Sequence, residues 1–246
     1  ISLGLVGSEM CIRDSDKYVL YYANSSWGEE HTNGIGVAWS LRPEGPFTDA
    51  GKLFLSDEIE VMNSIDAFYM EENGRKYLFW GSWHGLWGVE LADDGLALQP
   101  NTPKIPIAGN GYEAGLLHKH GDYYYLFAST GSCCEGLKST YTTVVGRSKN
   151  LFGPYVNRKG ELMLSNHHEV VIEKNKDFVG PGHNSQLVTD DAGNDWIFYH
   201  GVNVKNPEGR VLMMSKIVWE DGWPTVENSS PAVTATAPYF KSQYKN

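Results

Sequence analysis

Three ionisable residues each stand alone among small or apolar neighbours, shortly before an aromatic stretch. Asp66 lies in MNSIDAF, Glu113 in GYEAG and His183 in GPGHNS. Two carboxyl groups in such surroundings can hydrolyse an acetal, because one protonates the leaving oxygen while another activates water. The acid must stay protonated near neutral pH, which burial or a neighbouring carboxylate achieves. Glu113 suits the acid, and Asp66 suits a base or a charge that raises the pKa of Glu113, although a turn or capping role for Asp66 stays open.

A repeated phrase predicts the elements that position these residues. It consists of a turn signal, a short aromatic strand, a small-residue turn and a second apolar strand, and it recurs roughly every 50–70 residues, a period typical of propeller blades. No helical periodicity of ten or more residues interrupts it. The four copies are YVLYYANSS with IGVAWS, KYLFWGSW with WGVEL, YYYLFAST with TTVVGRS, and DWIFYHGV with RVLMMSKIVW.

This repetition favours an all-β propeller over a sandwich of hairpins. A propeller gathers one loop from each blade around its axis. If Asp66, Glu113 and His183 begin the innermost strands, their side chains converge on the central channel. Residues after about 231 are rich in Ala, Thr, Ser and Pro, and they predict a closing strand or a loose tail.

Charge and cysteine content narrow the classes of partner. The net charge is −10, no Lys/Arg cluster occurs and no apolar run approaches a membrane span, so neither nucleic acid nor a membrane is expected as a partner. A neutral carbohydrate fits better. Cys133 and Cys134 are adjacent, which leaves two interpretations: a pair of small residues, or a vicinal disulfide that would suit an oxidising compartment.

The first fifteen residues, ISLGLVGSEMCIRDS, do not fit the rest of the chain. They lack the basic start of a secretory leader, and charged residues interrupt the apolar stretch. They resemble the translated read-through of a sequencing adapter. We therefore expect residues 1–15 to be non-native, residues 16–240 to form the propeller domain, and further coding sequence to lie upstream.

The motifs named above resemble family 43 glycoside hydrolases, in particular the endo-1,5-α-L-arabinanases. The resemblance rests on NSIDAFYMEENGRKYLFWGSW, YEAGLLHKHGDYYYLFASTGSCC, TTVVGRSKNLFGPY, GPGHNSQLVTDDAGNDWIFYHG and RVLMMSKIVWEDGWP, in that order. It implies a five-bladed propeller that inverts configuration with three acidic residues. Four blades would then be present here and one lost with the N-terminus.

The resemblance also implies roles for single residues. Glu113 matches the general acid, Asp66 the carboxylate that raises its pKa and orients it, and His183 the histidine that binds an axial calcium or other ion, directly or through water. The family's general base, an aspartate of the first blade, has no match in this chain. The positions that match arabinose subsites are Asn63, Ser82, Trp83 and, less closely, Trp27.

Two positions depart from the family pattern. Ala67 and Gly115 stand where proline, or at the second position another small residue, is frequent. Both concern backbone shape, and they put the substrate subclass in doubt more than the chemistry.

The sequence thus predicts that the complete protein cleaves 1,5-linked α-L-arabinan. The present chain would lack the general base and the first blade, so we expect it to be inactive and poorly stable. The alternatives are an exo-acting α-L-arabinofuranosidase or β-xylosidase of the same family, and a non-catalytic carbohydrate-binding propeller. We expect a monomer that needs no organic cofactor and takes a polysaccharide or oligosaccharide as its partner. Since arabinan lies outside cells, we expect a secreted or periplasmic location.

Overall fold

The computed structural model describes residues 10–14, 17–26 and 28–241, with side chains described from residue 17 onward. These residues form four antiparallel sheets. The first contains β1 (Met10–Asp14), β2 (Lys17–Asn24), β3 (Gly34–Ser40) and β4 (Thr48–Leu55). The second contains β5 (Phe68–Glu72), β6 (Arg75–Trp80), β7 (Leu86–Leu91) and β8 (Ile105–Ala108).

The other two sheets follow in chain order. The third contains β9 (Glu113–His120), β10 (Tyr123–Thr130), β11 (Thr142–Ser148) and β12 (Glu169–Ile172). The fourth contains β13 (Phe178–Gly182), β14 (Val188–Thr189), β15 (Asp195–Asn203), β16 (Arg210–Glu220) and β17 (Trp223–Val226). Sequential strands pair within each sheet, except that β13 and β14 both pair with β15.

The four sheets are the blades of a β-propeller, which confirms the predicted all-β architecture. Each repeated phrase supplies the two middle strands of one blade, β2 and β3 in the first and β6 and β7 in the second. Their first strands meet in succession, since β1 contacts β5 and β5 contacts β9. A fifth blade, which the family resemblance implied, does not occur among the residues that the structure describes.

Local sequence explains the tight hairpins within the blades. Asn73 and Gly74 join β5 to β6, and both have positive φ, at 54° and 74°. A two-residue loop with positive φ at both positions matches the right-handed twist of the strands that it joins. An Asn-Gly pair between two strand-forming stretches is therefore a sequence signal for this hairpin.

Burial on both faces explains why the strands show no strict alternation. In β6, Tyr77, Leu78, Phe79 and Trp80 are all buried. Leu78 and Trp80 belong to the core shared with the first blade, whereas Tyr77 and Phe79 belong to the core shared with the third and fourth. A blade packed between two neighbours therefore needs apolar residues at consecutive positions.

Helices contribute little to the described part of the chain. Its one α-helix, α1, covers Ser56–Ile59, and none of its helices is long and apolar enough to cross a bilayer. Residues 231–241 contain no strand, so the closing strand suggested for this region is absent. The tail is nevertheless attached, because the backbone N–H of Tyr239 donates to Asp190.

Part of the adapter-like segment takes part in the first blade. Strand β1 pairs antiparallel with β2, with Met10 opposite Tyr21 and Asp14 opposite Lys17. This pairing concerns backbone geometry alone, so the adapter origin of residues 1–15 stays a prediction.

Candidate active site

The two predicted acids lie together at one end of the second and third blades. Asp66 precedes β5 by two residues, and Glu113 is the first residue of β9. Both are buried, with 6% and 8% of their surface exposed. The backbone N–H of Ala114 donates to Asp66 Oδ2 at 3.1 Å, which ties the residue after Glu113 to the Asp66 carboxylate.

Glu113 is held in place by the neighbouring blade. The Ser82 hydroxyl, just beyond β6, donates to Glu113 Oε2 at 2.9 Å, and the two residues also form an isolated β-bridge. Burial raises the pKa of Glu113, and the charge of Asp66 raises it further. Tyr141, Ser82 and His183 act in the opposite direction and moderate that rise. The result is a carboxyl group that keeps its proton to higher pH than an exposed glutamate does.

Tyr141 is a site residue that the sequence did not reveal. Its side chain is fully buried, its hydroxyl makes no hydrogen bond of good geometry with the described residues, and it interacts electrostatically with Glu113. Burial, followed by the charge of Glu113, holds the pKa of Tyr141 well above its usual range, so the phenol stays neutral. Gly182 makes room for the ring, since a Cβ there would lie 2.2 Å from Tyr141 Cδ1. The glycines of GPGHNS were the available signal, because they mark a close approach of another group.

His183 lies near this pair but does not begin a strand as predicted. It follows β13, in the interruption between β13 and β14. Its φ is 49°, and its backbone N–H donates to Ser129 Oγ at 2.8 Å. Because the left-handed conformation breaks strand geometry, regular pairing with β15 stops here and resumes at Val188, and a single backbone hydrogen bond from the Ser185 N–H to the Phe198 carbonyl oxygen lies between.

The groups around His183 are those that an axial ion would meet. Calcium prefers several oxygen ligands. Asn184 Oδ1, on the next residue, is buried without a hydrogen-bond partner among the described residues. Among all the residues that the structure describes, no group of three or more ionisable ligands includes His183. These groups do not form a closed protein cage, so an ion here would be held largely through water, and the axial ion stays a prediction.

The pocket beside Glu113 has an aromatic wall and a disulfide wall. Its volume is about 430 Å³. The half-buried Trp83 forms one side, and its backbone N–H donates to the carbonyl oxygen of Tyr112 at 2.8 Å. Cys133 and Cys134 form a vicinal disulfide, so the second of the two interpretations of this pair is the one observed. The lining residues are Trp83, Glu113, Gly131, Ser132, Cys133, Cys134 and Glu135.

Of the other three predicted subsite residues, the structure describes Asn63 and Ser82. Asn63 accepts a hydrogen bond from Asn33 at 2.7 Å and donates to the Ser82 carbonyl oxygen at 3.3 Å, so it braces Ser82. Ser82 in turn contacts the acid, as described above. Trp27 lies outside the described residues.

A cavity of about 490 Å³ also occurs near the β5–β6 turn, but neither Asp66 nor Glu113 lines it.

The family of the chain is shown by its match to a family model. The model for glycosyl hydrolases family 43 matches residues 10–224. This chain belongs to glycosyl hydrolases family 43. The resemblance inferred from the motifs is thereby confirmed.

Two extracellular relatives show the range of activities among similar proteins. The exo-α-(1→5)-L-arabinofuranosidase ArbA of Cellvibrio japonicus is 34% identical over 235 residues, which cover 85% of this chain and 66% of the relative. The endo-α-(1→5)-L-arabinanase 1 of Bacillus subtilis is 31% identical over 217 residues, which cover 85% and 65%. The family 43 chain thus spans slightly less than two thirds of the length of these relatives.

A solved structure shows the same fold. The Cellvibrio cellulosa α-L-arabinanase complexed with arabinohexaose superimposes with a TM-score of 0.82 at 31% identity. The superposition covers 89% of this family 43 chain and 76% of the arabinanase.

Proposed function

We propose that this family 43 propeller is the catalytic domain of a glycoside hydrolase that cleaves 1,5-linked α-L-arabinan. The observation that carries the proposal is the buried Glu113, whose pKa is raised by burial and by Asp66 beside a pocket walled by Trp83. An acid catalyst needs a proton at neutral pH and access to the leaving oxygen, and this arrangement offers both. The choice of sugar follows from the similar proteins, which are an α-(1→5)-L-arabinofuranosidase and α-L-arabinanases.

The proposed reaction divides the work between the two carboxyl groups. Glu113 gives its proton to the glycosidic oxygen as the bond from that oxygen to the anomeric carbon breaks. Water adds to the anomeric carbon from the opposite face and passes its proton to a general base, so configuration inverts. Asp66 keeps Glu113 protonated by its charge, and through the Ala114 N–H it fixes the backbone beside the acid.

The base is the missing part of this mechanism. No described residue matches the first-blade aspartate of the family, so the proposal includes a fifth blade that carries it. A positioned general base contributes about 10²–10⁴-fold to rate. We therefore expect the 246-residue chain to bind arabinan oligosaccharides with little turnover.

The pocket walls suit the apolar faces of a furanose ring. Trp83 and the Cys133–Cys134 disulfide line the pocket from two parts of the chain, and they offer an indole ring face and two weakly polar sulfur atoms. Stacking on such surfaces favours sugars, while the few polar groups fix their orientation. Asn63 and Ser82 act in this proposal by supporting Glu113.

A hydrated calcium ion beside His183 forms a second part of the proposal. His183 would hold it largely through water, and the ion would add positive charge near the site. We also propose a monomer that acts outside the cell, in keeping with the extracellular relatives. The vicinal disulfide supports such a location, since disulfides persist in oxidising compartments.

Binding tests the sugar specificity of the chain. We expect arabinohexaose to bind in isothermal titration, and Trp83→Ala to weaken binding about fivefold, because stacking on an aromatic ring contributes on the order of 1 kcal/mol. Glu44→Gln, at an exposed position in a loop, is the control and should leave binding unchanged. Tighter binding of xylohexaose would favour the β-xylosidase alternative, and binding of neither sugar would overturn the proposal.

Turnover is tested on the product of the complete coding region, with linear arabinan as substrate. We expect Glu113→Gln to lower kcat by about 10²–10⁴-fold, as for loss of a positioned acid, and Glu44→Gln to have no effect. Oligomers of mixed length would indicate endo cleavage, and arabinose alone would indicate exo cleavage. Binding without any release of sugar would identify the protein as a non-catalytic binder.

A further inference from the structure

Two histidines and an aspartate meet at the seam between the third and fourth blades. His118 and His120 are two residues apart in β9, so their side chains leave the strand on the same face. Asp195, nearly buried, is the first residue of β15 in the next blade. One potential ligand atom from each lies within 4.8 Å of the other two, and His120 Nδ1 is 3.8 Å from Asp195 Oδ2.

The neighbours of this cluster hold two of its members in place. Asp195 accepts hydrogen bonds on both oxygens, from Thr189 Oγ1 at 2.6 Å and from Trp219 Nε1 at 2.8 Å. Each carboxylate oxygen has two lone pairs, so each oxygen of Asp195 keeps one lone pair that can bind a metal ion. The Trp219 ring also stacks on His120, with ring centroids 3.7 Å apart. Groups of this kind orient the ligands of protein metal sites.

We propose that His118, His120 and Asp195 bind a divalent transition-metal ion of the zinc class. Two imidazoles and one carboxylate are the donors that such ions prefer, whereas calcium prefers oxygen ligands alone. Bonds of about 2.0–2.2 Å place tetrahedral ligands roughly 3.4 Å apart. The present separations, up to 4.8 Å, are longer, so the His118 and His120 side chains would shift towards Asp195 when the ion binds. Water completes the coordination.

The site is separate from the acid pair. Glu113 and His120 are the first and last residues of the eight-residue strand β9, which places them roughly 23 Å apart at about 3.3 Å per residue. A bound ion would join β9 of the third blade to β15 of the fourth. Its role is therefore structural, a cross-link between blades, and it does not depend on the proposed activity.

Cobalt titration of the chelator-treated 246-residue chain tests the site. We expect one equivalent of Co²⁺ to bind with visible absorption bands, zinc to displace it, and zinc to raise the melting temperature. His120→Ala removes an exposed ligand and should weaken binding by more than about 100-fold. Trp219→Phe keeps a ring but removes the N–H, and should weaken binding by about tenfold, as for loss of an orienting group.

His167→Ala is the matched control, because His167 is an exposed histidine of the same blade as His120. It should bind cobalt and respond to zinc like the unchanged chain. Circular dichroism of each variant distinguishes loss of a ligand from loss of the fold. Equal cobalt affinity in His120→Ala and the unchanged chain, or no stoichiometric binding by the unchanged chain, would overturn the proposal.

Discussion

Glu113 combines two opposing sets of neighbours. Burial and Asp66 favour its protonated form, whereas Tyr141, Ser82 and His183 favour the carboxylate. Since the first set prevails, the folded chain binds this proton more tightly than the unfolded chain does. The contribution to stability is therefore fully present below the ordinary pKa of glutamate and is lost as the pH rises through the raised pKa.

Glu113→Gln should for this reason change the pH dependence of stability. Glutamine cannot ionise, so the variant avoids the cost of a buried carboxylate. We expect its melting temperature, relative to the unchanged chain, to rise with pH from about 4 towards neutrality and then to level off. Differential scanning calorimetry across this range measures it. A constant difference at every pH would show that the pKa of Glu113 is not raised.

Asp66→Asn provides a second test at the residue scale. Asparagine still offers an oxygen to the Ala114 N–H but removes the charge that favours protonated Glu113. The pH-dependent gain from Glu113→Gln should therefore shrink in an Asp66→Asn background. A double-mutant cycle of melting temperatures gives the coupling. Full additivity would remove Asp66 from its role as pKa modulator.

Single residues were predictable here where they stood out from their local sequence. Asp66 and Glu113 were charged groups among small and apolar neighbours, and the structure brings them together. Tyr141 was hidden because it lies in a polar stretch, and only its contact with Gly182, about 40 residues later, brings it to the site. Pairings of this kind depend on packing between strands, which a local pattern does not contain.

At the scale of strands, the interruption between β13 and β14 positions both His183 and Tyr141. The predicted innermost strand is instead two short pieces paired with β15. The sequence placed His183 at the start of a strand, but hydrogen-bond register decides where a strand begins and ends. The hairpin at Asn73-Gly74 was predictable because asparagine and glycine are the residue types that readily adopt the positive φ of such a turn.

Gly182→Ala tests this arrangement. The added Cβ would meet the Tyr141 ring, so either the ring or β13 must shift. We expect a loss of about 1–3 kcal/mol in the free energy of unfolding, as for overpacking of a core. Gly201→Ala is a milder control in β15, because its Cβ would meet the flexible Met213 side chain at 3.1 Å. Urea unfolding compares the two, and equal losses would contradict the close approach.

At the scale of the whole molecule, the blades pack through aromatic and basic side chains. Arg147 of β11 lies over the Tyr123 and Trp223 rings, at 4.4 Å from each centroid, and donates to the Gly222 carbonyl oxygen at 2.9 Å. It thereby connects the third blade to the fourth. The number of blades was accessible from the repeated phrases, but these contacts across the seams were not.

Arg147→Lys should weaken this connection. Lysine keeps the charge but loses the planar group that stacks between two rings. We expect a loss of about 1 kcal/mol in the free energy of unfolding, in the range of such contacts. Arg42→Lys, at an exposed position of the first blade, is the control and should change little. Guanidinium unfolding followed by tryptophan fluorescence measures both.

The acid pair straddles a boundary between blades, and this has a consequence for the response of the site to heating. Asp66 and Ser82 come from the second blade, whereas Glu113 comes from the third. If these two sheets separate briefly, Glu113 loses the hydrogen bond from Ser82 and the electrostatic effect of Asp66, while each sheet stays intact. The pKa of Glu113 would then fall towards its ordinary value at temperatures where circular dichroism still reports a native molecule, so this pKa would report local opening between the two blades.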